Sequence, residues 1–192
     1  FKSVTADDTA PAAVYVGNSG TAMFMVGDTG NDVNQYTLST PYDVSTAGAS
    51  IAAFSIATQE TSPTGIDFNP TGTKMFISGQ TGVTPLIVGG DYVHEYSLST
   101  AWTVSTAVYT TSYNVTQDST PQGVVFGDSG SKMYVVGNTN DTIYQYTLST
   151  AWDISTASYD TVSFSVTAQG MYPEGITFKP DGTKMYVVGD GA

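Results

Sequence analysis

Lys132-Met-Tyr-Val-Val-Gly137 is followed, after five polar residues, by Ile143-Tyr-Gln-Tyr-Thr-Leu148. Both runs are short and rich in β-branched and aromatic residues. Asn, Asp and Gly lie between them, so the pair reads as two strands joined by a tight turn. The first run returns as Lys184-Met-Tyr-Val-Val-Gly189, and more loosely as Lys74-Met-Phe-Ile-Ser-Gly79 and Ala22-Met-Phe-Met-Val-Gly27. The second belongs to Tyr146-Thr-Leu-Ser-Thr-Ala-Trp-Asp-Ile-Ser-Thr-Ala157, which matches Tyr96–Ala107 and Tyr36–Ala47. Pro11, Pro63, Pro121 and Pro173 open the copies, at spacings of 52, 58 and 52 residues.

Each copy reads as four strands. The first is Gly65-Ile-Asp-Phe68 and its counterparts, followed by a turn such as Asn69-Pro-Thr-Gly72 or Lys179-Pro-Asp-Gly182. Pro presets φ there and Gly accepts positive φ. The Lys-Met-Tyr-Val-Val and Gln-Tyr-Thr-Leu runs are the second and third strands, and a fourth lies within 49–58, 107–116 and 158–167. No segment sustains a 3.6-residue period, so helix is expected to be nearly absent. Four antiparallel strands per repeat at this length is the pattern of propeller blades. Parallel β-helices repeat over far fewer residues, and separate sandwich domains need about 100 each.

The fold expected is therefore all-β, a β-propeller with four-stranded antiparallel blades. Blades are expected at about 11–62, 63–120 and 121–172, with a partial one at 173–192. Val4-Thr-Ala6 lies seven residues before Pro11, as Val166-Thr-Ala168 lies seven before Pro173. Residues 1–10 are thus expected to supply the outer strand of a further blade. An isolated open arc is not expected, because it leaves unpaired edges. A fragment of a larger propeller is favoured over a small closed ring, because the sequence stops just where the next Gln-Tyr-Thr-Leu strand is expected.

The run Pro180-Asp-Gly-Thr-Lys-Met-Tyr-Val-Val188 resembles YVTN-type and lactonase-like propeller repeats. The longer unit at 145–157 is similar to propeller repeats of large surface and virion proteins of marine bacteria and their phages. The resemblance implies the fold, and an extracellular, cell-surface or virion setting. It leaves activity open, because propellers host many unrelated functions. It also implies that the loops joining second to third strands, and fourth strands to the next blade, form the binding face. Ten of the 17 acidic residues map there, among them Asp8, Glu60, Asp91 and Asp118, and the simplest expectation is a solvated rim.

Composition narrows the partners. Five lysines, no arginine and a net charge of −12 argue against nucleic acid and against docking on anionic membranes. No stretch approaches the length of a membrane-spanning helix. The absence of Cys excludes thiol chemistry and disulfides. His94 is the one histidine, and no Ser/His/Asp set recurs with the repeat, so an enzyme is not expected. The alternative is a polysaccharide-active or lactonase-like enzyme. No cofactor is expected; Ca²⁺ is a weak candidate, with Asp28, Asp32, Asn138 and Asp141 offering oxygen ligands.

Trp102 and Trp152 share a repeat position with Tyr42. They read as wedges between blades, or as platforms for sugar stacking. The second copy alone carries an insertion, Gln80–Asp91, whose centre Pro85-Leu-Ile-Val88 is apolar. Insertions in repeat proteins map to loops that often bind. Leu86, Ile87, Val88 and Asp91 are therefore candidate contacts for a carbohydrate or protein partner, or for self-assembly.

Overall fold

The proline that opens each copy opens a strand. In the computed structural model, which describes residues 2–80, 83–84, 87–88, 91–169 and 172–191, the first copy holds β1 (Pro11–Gly17), β2 (Ala22–Gly27), β3 (Asp32–Leu38) and β4 (Ala47–Ser55). The second holds β5 (Pro63–Phe68), β6 (Lys74–Gly79), a short hairpin of β7 (Val83–Thr84) and β8 (Ile87–Val88), then β9 (Tyr92–Leu98) and β10 (Ala107–Asn114). The third holds β11 (Pro121–Gly127), β12 (Lys132–Gly137), β13 (Thr142–Leu148) and β14 (Ala157–Ser165). The fourth holds β15 (Pro173–Phe178) and β16 (Met185–Gly189).

Each full copy is one antiparallel four-stranded sheet in chain order, and β15–β16 is a two-stranded sheet. Among the described residues the helical segments are three-residue 3₁₀ turns, and no helix could cross a membrane. The 3₁₀ turns Asn18–Gly20 and Asp128–Gly130 put Ser19 and Ser129 at φ 55°. The glycine that ends each first turn (Gly20, Gly72, Gly130 and Gly182) has φ of 86°, 67°, 87° and 70°, a conformation that side chains disfavour.

The apolar runs read as second strands have a physical reason. β2 pairs on both edges and is buried along its whole length; β4, on the rim, is mostly exposed or half-exposed. β1, β5, β11 and β15 pack against one another in series and so form the inner wall. The cores lie between blades rather than within them. Phe24 and Val26 of the first blade join Phe68, Met75 and Tyr96 of the second. Phe76 and Val93 of the second join Phe126, Met133 and Tyr146 of the third. A blade therefore gains its stability from its neighbours, as in other repeat folds.

The strand expected at the start of the chain has no partner strand among the described residues. Residues 2–5 form no strand. Val4 packs instead against the cluster of Met23, Met25, Tyr36 and Leu38, and Lys2 Nζ donates to the Gly48 carbonyl at 2.6 Å. An outer strand needs the third strand of its own blade as a pairing edge. Among the described residues the fourth copy offers only β15 and β16.

Candidate functional site

The acidic residues of the loop face are not all a solvated rim. Asp8, Glu60 and Asp118 stand three residues before the opening prolines, and all three are buried. Asp8 Oδ1 accepts from the Ala10 amide at 2.6 Å, and its Oδ2 from the Gly30 amide at 2.8 Å. Asp118 accepts from the amides of Thr120 (3.0 Å), Thr139 (3.2 Å) and Asn140 (3.1 Å). Glu60 Oε1 accepts from the amides of Thr61 (2.9 Å) and Ser62 (2.8 Å). Asp8 and Asp118 thus fasten the inter-blade linker to the loop after the second strand. Gly27, Gly79 and Gly137 make room for them, since a Cβ on any of these would lie 2.2–2.3 Å from the carboxyl group.

The second blade departs from its siblings on this face. Glu60 is one methylene longer than Asp8 and Asp118, and its Oε2 lies 3.5 Å from His94 Nε2, with both side chains fully buried. Among the described residues neither ring nitrogen of His94 has a hydrogen-bond partner, nor has the hydroxyl of Tyr92 or Tyr96. The equivalent hydroxyls of Tyr36 and Tyr146 donate to Asp7 Oδ2 (2.8 Å) and Gln117 Oε1 (2.7 Å). Tyr92, His94 and Tyr96 all lie on β9, the strand that follows the insertion in the sequence.

A cleft of about 430 Å³ opens between the second and third blades, lined by Asp91, Asn114, Thr116, Gln117, Asp118 and Asn140. Burial, aided by the charges of Asp118 and Glu60, raises the Asp91 carboxyl to about 6. Asn140 Nδ2 donates to the Gln117 carbonyl (3.3 Å) and to the Tyr144 hydroxyl (3.2 Å). Among the described residues the lining is carboxylate, amide and hydroxyl side chains with Val115, and no cation. Such groups suit hydroxyl-bearing ligands.

Of the candidates read from sequence, Asp91 lies in this cleft. Leu86 and the side chains of Ile87 and Val88 lie outside the described residues. Trp102 packs between the first and second blades, with its ring centroid 6.3 Å from Tyr15, 6.2 Å from Phe24 and 5.6 Å from Phe68. Trp152 does the same between the second and third, 6.2 Å from Phe76 and 5.2 Å from Phe126. Asp32 Oδ1 accepts from Asn34 Nδ2 at 2.6 Å, Asp141 Oδ1 from the Tyr172 amide at 3.2 Å, and Asn138 Oδ1 from the Thr120 hydroxyl. Asp28 is exposed on its turn. Among the described residues no group of three or more His, Asp or Glu is placed to hold a metal ion.

Sequence reading missed a contact on the opposite face. Gln35 Nε2 donates to the Trp102 carbonyl at 2.7 Å, and its Oε1 accepts from the Val104 amide at 3.0 Å. Both partners belong to the next blade. Glu95 holds the same place in the second blade and accepts from the Ile154 amide at 3.1 Å. A carboxylate cannot donate, and Lys74 supplies the missing N–H: its Nζ meets Glu95 Oε1 at 2.7 Å and the Trp152 carbonyl at 2.6 Å. The signal was present only as co-occurrence within a copy: Ala22 accompanies Gln35 in the first, and Lys74 accompanies Glu95 in the second.

No protein-family model matches this chain, and no curated protein matches it. Solved structures do. The functionally unknown protein from Desulfotomaculum acetoxidans is 12% identical at a TM-score of 0.59, over 93% of this chain and 48% of that one. The periplasmic gluconolactonase PpgL of Pseudomonas aeruginosa is 12% identical at 0.58, over 93% and 47%. The β-propeller domain of Cps50 (Swd1) from Myceliophteria thermophila is 12% identical at 0.54, over 93% and 50%. The chain spans about half the length of these structures. At such identity the likeness shows the fold alone: the chain is built as a β-propeller, similar to lactonase-like propellers, with three full blades and part of a fourth.

Proposed function

We propose that this chain is a non-enzymatic binding module, acting on a secreted, cell or virion surface, that contacts carbohydrate through the loop face between its second and third blades. The observation that supports it is the departure of the second blade from its siblings on that face, where an insertion ends at Asp91 on the rim of a carboxylate- and amide-lined cleft. Carboxylate and amide oxygens accept from sugar hydroxyls, while amide N–H groups donate to them. The apolar centre of the insertion, Leu86-Ile-Val88, adds a contact for the apolar face of a sugar ring or for a protein that presents the glycan.

The experiment is a glycan array followed by titration calorimetry on the best neutral oligosaccharide. Binding is expected to fall at least tenfold in Asp91→Ala and to weaken when Leu86, Ile87 and Val88 are replaced together by Ser, with the melting temperature unchanged. Affinity should also rise between pH 5 and pH 7, as the Asp91 carboxyl ionises near 6. An array without hits, or binding indifferent to both variants, would sink the reading. Turnover of a polysaccharide or lactone would replace it with an enzymatic one.

A further inference from the structure

Two changes coincide in the second blade. Where the first and third blades place Asp8 and Asp118 before the opening proline, the second places Glu60. Where they place Asn34 and Tyr144 on the third strand, it places His94. Either change alone would be an ordinary substitution within a repeat. Together they bring an imidazole and a carboxylate face to face, with His94 Nε2 3.5 Å from Glu60 Oε2 and neither side chain exposed.

The separation decides what fits between them. A direct hydrogen bond closes to about 2.7–3.2 Å. A bridging water, about 2.8 Å from each atom, holds its two partners about 4.5 Å apart. A tetrahedral divalent ion, with bonds of about 2.0–2.2 Å to nitrogen and oxygen, holds its ligands about 3.4 Å apart. The observed distance matches the third case. The surroundings agree with it. Tyr92, His94 and Tyr96 alternate along β9 and so share one of its faces. Among the described residues their two hydroxyls and both ring nitrogens have no partner, although none of the three residues is more than 3% exposed. Buried polar atoms are rarely left unpaired, and such a concentration on one strand face points to a bound ion or water. Burial, then the charges of Tyr109 and Glu60, raises the Tyr96 hydroxyl; burial, then those of Asp118 and Glu60, raises the Asp91 carboxyl. Negative charge therefore gathers here, and a cation would offset it.

We infer that His94 Nε2 and Glu60 Oε2 bind a divalent transition-metal ion of the zinc class at the loop-face end of the second blade. Imidazole nitrogen suits such ions, whereas Ca²⁺ and Mg²⁺ take sets of oxygen ligands. Tyr92 and Tyr96 would hydrogen-bond the water that completes the coordination. Two ligands from the chain make a weaker site than the four of a structural zinc centre, and among the described residues no third His, Asp or Glu joins them. The ion would tie the linker before β5 to β9, as Asp8 and Asp118 tie their linkers to the loops of their own blades. The inference does not rest on the carbohydrate reading.

The probe is zinc sulfate, added to the full chain without an affinity tag after treatment with a chelator. His94 is the one histidine, so its ring protons give an NMR signal that reports this site alone. Saturable displacement of that signal by zinc is expected, with Mg²⁺ in excess leaving it in place. His94→Asn and Glu60→Asp install the residues of the first blade, which suits them to the fold. By calorimetry each should weaken zinc binding by more than about tenfold. A ring signal that zinc leaves unmoved overturns the site, whatever becomes of the variants. Zinc bound equally well by both variants would sit on exposed carboxylates instead, and overturns it too.

Discussion

Asp67 holds, on β5, the place taken by Tyr15, Val125 and Thr177 on the other first strands. Its carboxylate accepts from the amide of Phe68 at 2.8 Å and, across the seam, from that of Phe126 at 3.0 Å. Burial nonetheless raises it to about 7, against the pull of both amides, and Asp91 is raised in the same direction to about 6. In the unfolded chain both titrate near 4. Between about pH 4 and 7 the unfolded chain has therefore released protons that the folded one keeps, so stability falls as pH rises through that window and levels off above it. The urea midpoint is expected to drop from pH 4 to pH 7.5, and most of that slope should vanish in Asp67→Asn; a midpoint that climbs across the window would refute it. Single residues were the level least legible in the sequence. Asp8, Glu60 and Asp118 read as solvated because a carboxylate's fate depends on where backbone amides point, which composition does not reveal. What could have told was co-occurrence: each acid keeps company with a glycine at the end of the second strand, namely Gly27, Gly79 and Gly137.

Between elements, the clasp from third strand to neighbouring loop is a polar key set into an apolar seam. Gln35 is donor and acceptor at once, so it serves Trp102 and Val104 alone. Glu95 is only an acceptor, and the half-buried Lys74 completes it. Lys74→Met should therefore cost about 1–3 kcal/mol, because it leaves a buried carboxylate without its cation and the Trp152 carbonyl without its donor. Glu95→Gln should restore both bonds at a single residue. In that background Lys74→Met is expected to cost well under half as much, measured as the coupling energy of a double-mutant cycle by urea denaturation. Additive costs would show that the lysine acts on its own. Strand positions themselves were legible, because period-two runs and turn glycines repeat in four copies and each confirms the others. The clasp was not, since it joins residues 59–78 positions apart whose partners are backbone atoms, and backbone atoms leave no trace in side-chain pattern.

For the whole molecule, cores set between blades make stability a property of neighbours. The second blade is flanked on both sides, and its strand β6 contributes Met75 and Ile77 to one seam and Phe76 to the other, each wholly buried. β16 has the sequence of a central strand, but among the described residues it pairs with β15 alone, and Tyr186, Val187 and Val188 meet solvent. In a stack with nearest-neighbour coupling, the terminal unit opens without disturbing the rest, whereas an inner one opens only when both its seams are lost. Sequence similarity alone would assign β6, β12 and β16 equal protection, because Lys132–Gly137 and Lys184–Gly189 are identical. Native-state hydrogen exchange separates the two accounts. Amides of Met185–Gly189 should exchange faster than those of Met133–Gly137 by on the order of a hundredfold or more, with Met75–Ser78 the slowest of the set. Identical sequences exchanging at equal rates would mean that the seams, as described, do not govern this fold.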